Sequence, residues 1–94
     1  MRRQDDNGIK AKILFALMLP EGEYITIKEL ARREGLNPDT VKHYVWRLSK
    51  KNWIQSKSVA GRGRLLTYRM RSEIQKQVEL SKKTGKFEKN FLGY

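Results

Sequence analysis

Residues 26–48 read TIKELARREGLNPDTVKHYVWRL and carry the start and stop signals of two short helices. Thr26 and Glu29 have the S/T-x-x-E spacing of a capping box, which predicts a helix that begins just after the threonine. Gly35 can take the left-handed conformation that ends a helix. The pair Asn37-Pro38 predicts a second helix start, because asparagine is a favourable N-cap and proline suits the first helical turn. The pattern is therefore helix, tight turn, helix.

The second of these helices is predicted over residues 38–51 and has two chemically different sides. One side is apolar at helical spacing and is expected to lie in the core; it consists of Val41, Tyr44, Val45 and Leu48. The other side is available for a ligand, except that Trp46 is expected to be buried against the following hairpin, because exposed tryptophans are uncommon. The outward residues are Asp39, His43, Trp46 and Lys50, flanked by Lys42 and Arg47.

The flanking segments complete a small domain. Pro20 ends a first helix that begins near residue 8 and is apolar on two sides. After residue 52 the apolar residues follow a period of two, which predicts strands over 53–59 and 65–70 joined by a basic, glycine-rich tip. Beyond residue 70, apolar residues at four-residue intervals predict a further helix to about residue 81, packed on one partner.

Residues 25–70 resemble the winged helix-turn-helix domain family, and the first helix fits that family's leading helix. The resemblance rests on residues 27–41, on RLSKKNWI at 47–54 and on a hairpin that ends in TYRM at 67–70. It implies a mainly α fold with a small β-hairpin (α+β): a three-helix core plus wing, with an additional C-terminal helix. The chain then divides into a flexible N-terminal arm (1–7), a winged helix-turn-helix domain (8–70) and a C-terminal helix with an aromatic tail (71–94), a possible dimerisation element.

Positive charge is concentrated in one part of the sequence. The 94-residue chain has 21 Lys and Arg against 10 Asp and Glu, a net charge of +11. Residues 35–71 hold nine of these cations and one acidic residue, whereas residues 1–34 hold seven cations and six acidic residues. A surplus confined to one stretch indicates a polyanionic partner, which for this fold is double-stranded DNA. The alternative is a solvated basic face that serves solubility.

Other classes of function have little support in the sequence. With no cysteine and one histidine, no metal site and no cofactor are expected. No catalytic set, phosphate loop or small-molecule ligand site is evident, so the chain is not expected to be an enzyme. No segment suits export or membrane binding, which predicts an intracellular location: cytoplasm or nucleoid, or host cytoplasm if the gene is viral.

The resemblance also assigns candidate site residues, because in this motif the second helix reads base edges in the major groove while the first crosses the backbone. The residues expected to contact base edges are Asn37, Asp39, Thr40, His43 and Arg47. The residues expected to contact phosphates are Thr26, Lys28, Lys42, Lys50 and Lys57, and the residues expected to make the contacts of the wing are Arg62 and Arg64. Other roles are open: His43 can pair locally with Asp39, Asp39 can serve the helix dipole, and Thr40 can be a capping residue.

The two-sided first helix and the aromatic tail predict a homodimer. If the first helix and the tail of one chain packed against those of a second chain in a symmetric seam, the dimer would present two reading helices to DNA half-sites one helical turn apart. The predicted seam residues are Leu14, Phe15, Met18, Ile74, Val78, Phe87 and Phe91. The alternative is that the tail folds back on its own domain, since a small core gains from any cover.

The leading hypothesis is a sequence-specific transcription regulator, with the helix at 38–51 in the major groove and the wing at 54–70 on the adjacent minor groove or backbone. The alternative is a non-specific architectural or replication-associated DNA-binding protein. A reader of RNA or left-handed duplexes is less well supported: the family for left-handed DNA has Asn, Tyr and a Pro-Pro-Trp wing where Lys42, Trp46 and Gly-Arg-Gly stand here. The basic charge disfavours a protein-interaction winged helix.

Overall fold

The computed structural model describes residues 6–59 and 65–94. These residues form five helices and one small antiparallel sheet, which confirms the predicted mainly α class with a hairpin. The fifth helix was not predicted. In chain order the elements are α1 (Asp6–Leu17), β1 (Ile25–Thr26), α2 (Ile27–Glu34), α3 (Pro38–Lys50), β2 (Ile54–Val59), β3 (Leu65–Met70), α4 (Ser72–Thr84) and α5 (Phe87–Phe91).

The helix-turn-helix forms where its capping signals predict. The Thr26 hydroxyl accepts a hydrogen bond from the Glu29 backbone N–H at 3.0 Å, and Gly35 ends α2 with a φ of 66°. The Asn37 side-chain oxygen then accepts from the Asp39 N–H at 2.8 Å and starts α3. Each cap contributes about 1 kcal/mol and satisfies an N–H that would otherwise lack a partner. These local contacts set the angle at which α3 leaves α2.

Strand β3 lies in the middle of the sheet, between β1 and β2. In the hairpin, Ile54 stands opposite Met70 and Val59 opposite Leu65, while Thr26 of β1 pairs with Thr67. This two-residue β1 ties the start of α2 to the base of the hairpin. The predicted tip at residues 60–64, with Arg62 and Arg64, lies outside the described residues.

One apolar core lies between the helices and the sheet. The predicted inward side of α3 is confirmed, since Val41, Tyr44, Val45 and Leu48 are all buried. The three aliphatic side chains of this set, on Val41, Val45 and Leu48, each contribute about 1.5–3 kcal/mol when fully buried. This apolar side holds α3 against α1 and α2, and the opposite side of α3 therefore faces outward.

Helix α1 begins earlier than predicted. Asp6 and Asn7 were expected in a flexible arm, but both belong to the helix. The Tyr44 hydroxyl donates a hydrogen bond to the Asp6 carboxylate, and the Lys10 ammonium lies 3.3 Å from the same group. The bond from Tyr44 holds the pKa of Asp6 below its usual value, and it raises the pKa of Tyr44. These contacts attach the start of α1 to α3.

The C-terminal segment folds back on its own domain. Phe91, Leu92 and Tyr94 are buried, and the Tyr94 hydroxyl donates to the Lys10 backbone carbonyl at 2.9 Å. In return the Lys10 ammonium donates to the Leu92 carbonyl at 3.2 Å. Burial raises the pKa of the Tyr94 phenol well above its usual value. The tail therefore covers the second apolar side of α1.

This arrangement corrects part of the predicted dimer seam. Leu14 and Val78 are completely buried and Phe91 is 4% exposed within the single chain, so these three side chains belong to its own core. Phe15 is still 40% exposed and stacks on Phe87, with ring centroids 5.1 Å apart. Met18, Ile74 and Phe87 are half-buried. Only the exposed part of the set is available to a second chain.

Candidate nucleic-acid interface

The outward side of α3 is the most distinctive surface of the domain. It carries the exposed side chains of Asp39, Lys42, His43, Trp46 and Lys50, arranged along the helix as the periodicity predicts. Four of them, Asp39, Lys42, His43 and Trp46, line one shallow depression. We call these five residues the α3 face. Because the capped start of α3 is rigid, the face presents its groups in a fixed order along the helix.

Trp46 is not buried against the hairpin, contrary to the sequence-based prediction. Its side chain is 56% exposed, and the Lys50 ammonium lies 4.2 Å from the indole centroid. The reason is the direction of the hairpin. Asn52 turns the chain with a φ of 60°, and β2 enters the core through Ile54, on the same side as the buried residues of α3. The two described strands of the hairpin therefore leave Trp46 exposed.

Three predicted base-reading residues do not belong to the α3 face. The side-chain oxygen of Asn37 is already engaged in capping α3. Thr40 is half-buried. Arg47 is also half-buried, with its guanidinium carbon 6.0 Å from the Tyr44 ring centroid, on the side of α3 that meets Asp6. Asp39 and His43 are fully outward, and no ion pair joins them in the described part of the chain.

A second groove lies beside the α3 face. It brings Lys28 of α2 and Lys42 of α3 to one apolar depression whose far wall is strand β3. Leu65 and Leu66 on that wall are 53% and 50% exposed. Thr26 also lines the groove, but its hydroxyl is engaged as the N-cap of α2. Of the predicted phosphate contacts, Lys28, Lys42 and Thr26 therefore line one groove, and the Thr26 hydroxyl, which accepts in the cap, still has its own O–H to donate.

Two arginines counted in the basic stretch serve the fold. Arg69 is 2% exposed, and its guanidinium donates to the carbonyls of Pro20 and Met70 and to the Ser72 hydroxyl. Arg71 donates to the backbone carbonyl and the side-chain oxygen of Asn52 at 3.0 Å each. A guanidinium held in this way keeps its charge, but its N–H groups are engaged and are not free to bind a phosphate directly. The sequence count therefore overstates the number of arginine side chains that the hairpin can offer for direct contacts.

On α2, the exposed arginines are also engaged. Arg32 and Arg33 both donate to the Glu29 carboxylate. The hydrogen bond from Arg32 is the main reason that the pKa of Glu29 lies below its usual value. Both arginines therefore have an acidic partner on the solvent-exposed side of α2.

Lys57 stands apart from the α3 face. It lies opposite Thr67 in the hairpin, and its ammonium is 5.8 Å from the Tyr24 ring centroid. Side chains alternate along a strand, so Lys57 and Gln55 point away from the sheet face on which Ile54 joins the core. Lys57 therefore belongs to the hairpin side of the candidate interface and not to the α3 face.

The lysines of the α3 face have no acidic partner among the described residues. The ion pairs found there join Lys10 to Asp6 and both Arg32 and Arg33 to Glu29. Within the same residues, no three metal-ligating side chains come together, and no helix has the length and apolar character needed to cross a membrane. Lys42 and Lys50 are thus exposed cations with no acidic partner in the described part of the chain, and the ammonium of Lys50 lies over the Trp46 ring.

Comparison with known proteins agrees with this geometry. The chain matches the family model described as winged helix-turn-helix DNA-binding over residues 6–55. That match covers more than half of the chain, and the protein belongs to this family. No curated protein sequence matches the chain.

Two solved structures have the same fold. A PadR family transcription regulator from hypervirulent Clostridium difficile is 26% identical with a TM-score of 0.59, over 87% of this chain and 97% of that one. A cysteine-to-serine mutant of ZitR from Lactococcus lactis is 18% identical, also with a TM-score of 0.59, over 97% of this chain and 60% of its own. At 18% identity, the similarity to ZitR concerns the fold alone.

Proposed function

We propose that this DNA-binding domain is a sequence-specific transcription regulator that places α3 in the major groove of duplex DNA. The observation that carries the proposal is the α3 face, where Asp39 and His43 stand beside Lys42 and Lys50, two lysines without an acidic partner among the described residues. A B-form major groove admits one helix, and its base edges offer donors and acceptors that such side chains can read. The PadR-family likeness supports a regulatory role.

Contacts around the α3 face would fix the register of the protein on DNA. Lys28 and Lys42 border one groove from two different helices, so they can hold neighbouring phosphates. Lys50 lies two turns further along α3 than Lys42 and can meet the opposite side of the major groove. In the proposed mode, Asp39 and His43 read base edges, and the wing, with Lys57, Arg62 and Arg64, follows the adjacent backbone or minor groove. Asn37, Thr40 and Arg47 would act at the margin of this surface.

We also propose that the functional unit is a homodimer. Support comes from the aromatic side chains of the predicted seam that the folded chain leaves partly uncovered: Phe15, which is 40% exposed on α1, and the half-buried Phe87 on α5. Scattered exposed apolar residues are ordinary, but an aromatic stack such as Phe15 on Phe87 gains from cover. A twofold axis near this surface would present two α3 helices to the same side of a duplex.

Selection from a library of random duplexes tests both proposals. Protein is allowed to bind at low and at moderate salt, and the bound sequences are read. We expect one enriched palindrome whose half-sites are one helical turn apart, about 10–10.5 base pairs from centre to centre. Enrichment of a single half-site would support base reading and contradict the proposed homodimer. Binding without any enrichment would instead favour an architectural role in which phosphate contacts alone set the affinity.

A further inference from the structure

An apolar side chain stands in the middle of the α3 face, where the polar groups of base edges would be read. Trp46 is 56% exposed. An aromatic residue buries about 150–250 Å² when it is fully enclosed, so leaving an indole in water forgoes a considerable stabilisation. The C-terminal tail does place aromatic residues over Trp53 and Tyr44, with centroid distances of 5.0 Å for Trp53 to Phe91 and 6.1 Å for Tyr44 to Tyr94. Among the described residues, no aromatic side chain covers Trp46 in this way.

The surroundings of Trp46 restrict what it can contact. Helical side chains lean toward the N-terminus of their helix, and Trp46 accordingly shares a depression with Asp39, Lys42 and His43, one and two turns earlier. The Lys50 ammonium lies 4.2 Å from the indole centroid, which places a cation over one face of the ring. The open apolar surface is therefore the part that lines the depression, with Lys42 beside it and Lys50 behind it.

The major groove offers one apolar group along its base edges, the 5-methyl group of thymine. We infer that Trp46 is a specificity-determining residue that packs against a thymine methyl of the DNA site. The inference rests on the proposed function and adds a base preference to it. The flanking lysines have the charge needed for phosphates on either side of that base pair, while the indole supplies the apolar contact that selects thymine over cytosine.

The position of Lys50 favours this contact over stacking on an unpaired base. Stacking uses an open ring face and a base removed from the duplex, as in proteins that bind single strands. Here a cation already lies over the ring. A methyl group needs only a small apolar surface at the edge of a depression, and it is presented by an undistorted duplex.

Replacement of thymine by deoxyuridine tests the inference, because it removes the methyl group and leaves every hydrogen-bonding group of the base. Each thymine of the selected site is replaced in turn, and duplex affinity is measured for the wild-type chain and for Trp46→Ala. We expect the wild-type affinity to fall roughly fourfold at one thymine of each half-site, the effect of one methyl-sized group removed from an apolar contact. Trp46→Ala is expected to bind the thymine and deoxyuridine duplexes equally.

Matched variants separate this effect from changes in folding or surface apolarity. Leu80→Ala removes another exposed apolar side chain, on α4, and should keep the full methyl effect. Trp46→Phe should keep part of it. Circular dichroism and thermal melting of each variant should be unchanged, because Trp46 lies outside the core.

Three results would overturn the inference. One is equal binding of thymine and deoxyuridine duplexes by the wild-type chain at every position. Another is a methyl effect that survives in Trp46→Ala. The third is tighter binding of a single-stranded oligonucleotide than of the duplex, which would assign Trp46 to base stacking. Each of these leaves an enriched site in place, whereas failure of the proposed function leaves none, so the two failures are distinguishable.

Discussion

The double variant Lys42→Glu, Lys50→Glu should lose duplex binding by more than a hundredfold. Both lysines lie exposed on α3 with no acidic partner among the described residues, so their charges are available for phosphates. Two charge-assisted contacts are worth at least about 3 kcal/mol together, which corresponds to more than two orders of magnitude in affinity. The introduced carboxylates add repulsion. Fluorescence anisotropy with a labelled duplex measures the loss directly.

A control with the same change of net charge shows whether position matters. Lys76 and Lys83 are exposed on α4, away from α3, and Lys76→Glu with Lys83→Glu should weaken binding by well under tenfold. Both double variants should melt at the wild-type temperature, since none of the four lysines belongs to the core. If the two variants weaken binding to the same extent, net charge alone attracts DNA and the α3 face has no special role.

Tyr94→Ala is expected to destabilise the fold by about 3–5 kcal/mol, the usual cost of removing a buried aromatic side chain. Tyr94 is 2% exposed, packs against Tyr44 and Trp53, and donates its hydroxyl proton to the Lys10 carbonyl. Domains of this size have a total stability of about 5–15 kcal/mol. The variant should therefore unfold at a much lower urea concentration, as followed by circular dichroism.

Two further substitutions make the tail experiment specific. Tyr94→Phe keeps the ring and removes one hydrogen bond, so a loss of about 1 kcal/mol is expected. Leu80→Ala changes an exposed side chain and should alter the free energy of unfolding by less than about 0.5 kcal/mol. If Tyr94→Ala unfolds at the same urea concentration as the wild type, the tail does not pack on α1. The aromatic residues of the tail would then be available for the dimer seam that the sequence predicts.

Some parts of this structure depend on contacts between residues close together in the sequence, and these parts could be predicted from it. The bounds of α2 and α3 follow from side chains that cap their own helix, Thr26 and Asn37, and from a glycine that adopts a positive φ. Such contacts join residues two or three positions apart. The outward order of the α3 face follows in the same way, because helical periodicity is local once the helix start is known.

Other parts depend on contacts between residues far apart in the sequence, and these parts were either not predicted or predicted wrongly. The tail packs on α1 with a hydrogen bond between residues 94 and 10, and the predicted seam residues Leu14, Val78 and Phe91 belong to the core of the single chain. Trp46 was wrongly predicted to be buried because the direction of the hairpin is set by Asn52 and by packing of Ile54. Arg69 and Arg71 were counted in the basic stretch without a structural role, because the backbone carbonyls that accept their hydrogen bonds cannot be identified from the sequence.

The salt dependence of duplex binding tests most directly whether α3 and the wing form one cationic surface that neutralises phosphates. The logarithm of the binding constant should fall with the logarithm of salt concentration by about 0.9 per phosphate neutralised. Lys42→Gln with Lys50→Gln should then reduce this slope by about 1.8 per bound chain, and Lys76→Gln with Lys83→Gln should leave it unchanged. A flat salt response in the wild-type chain, or the same slope in both double variants, would contradict the assignment of the α3 face to DNA.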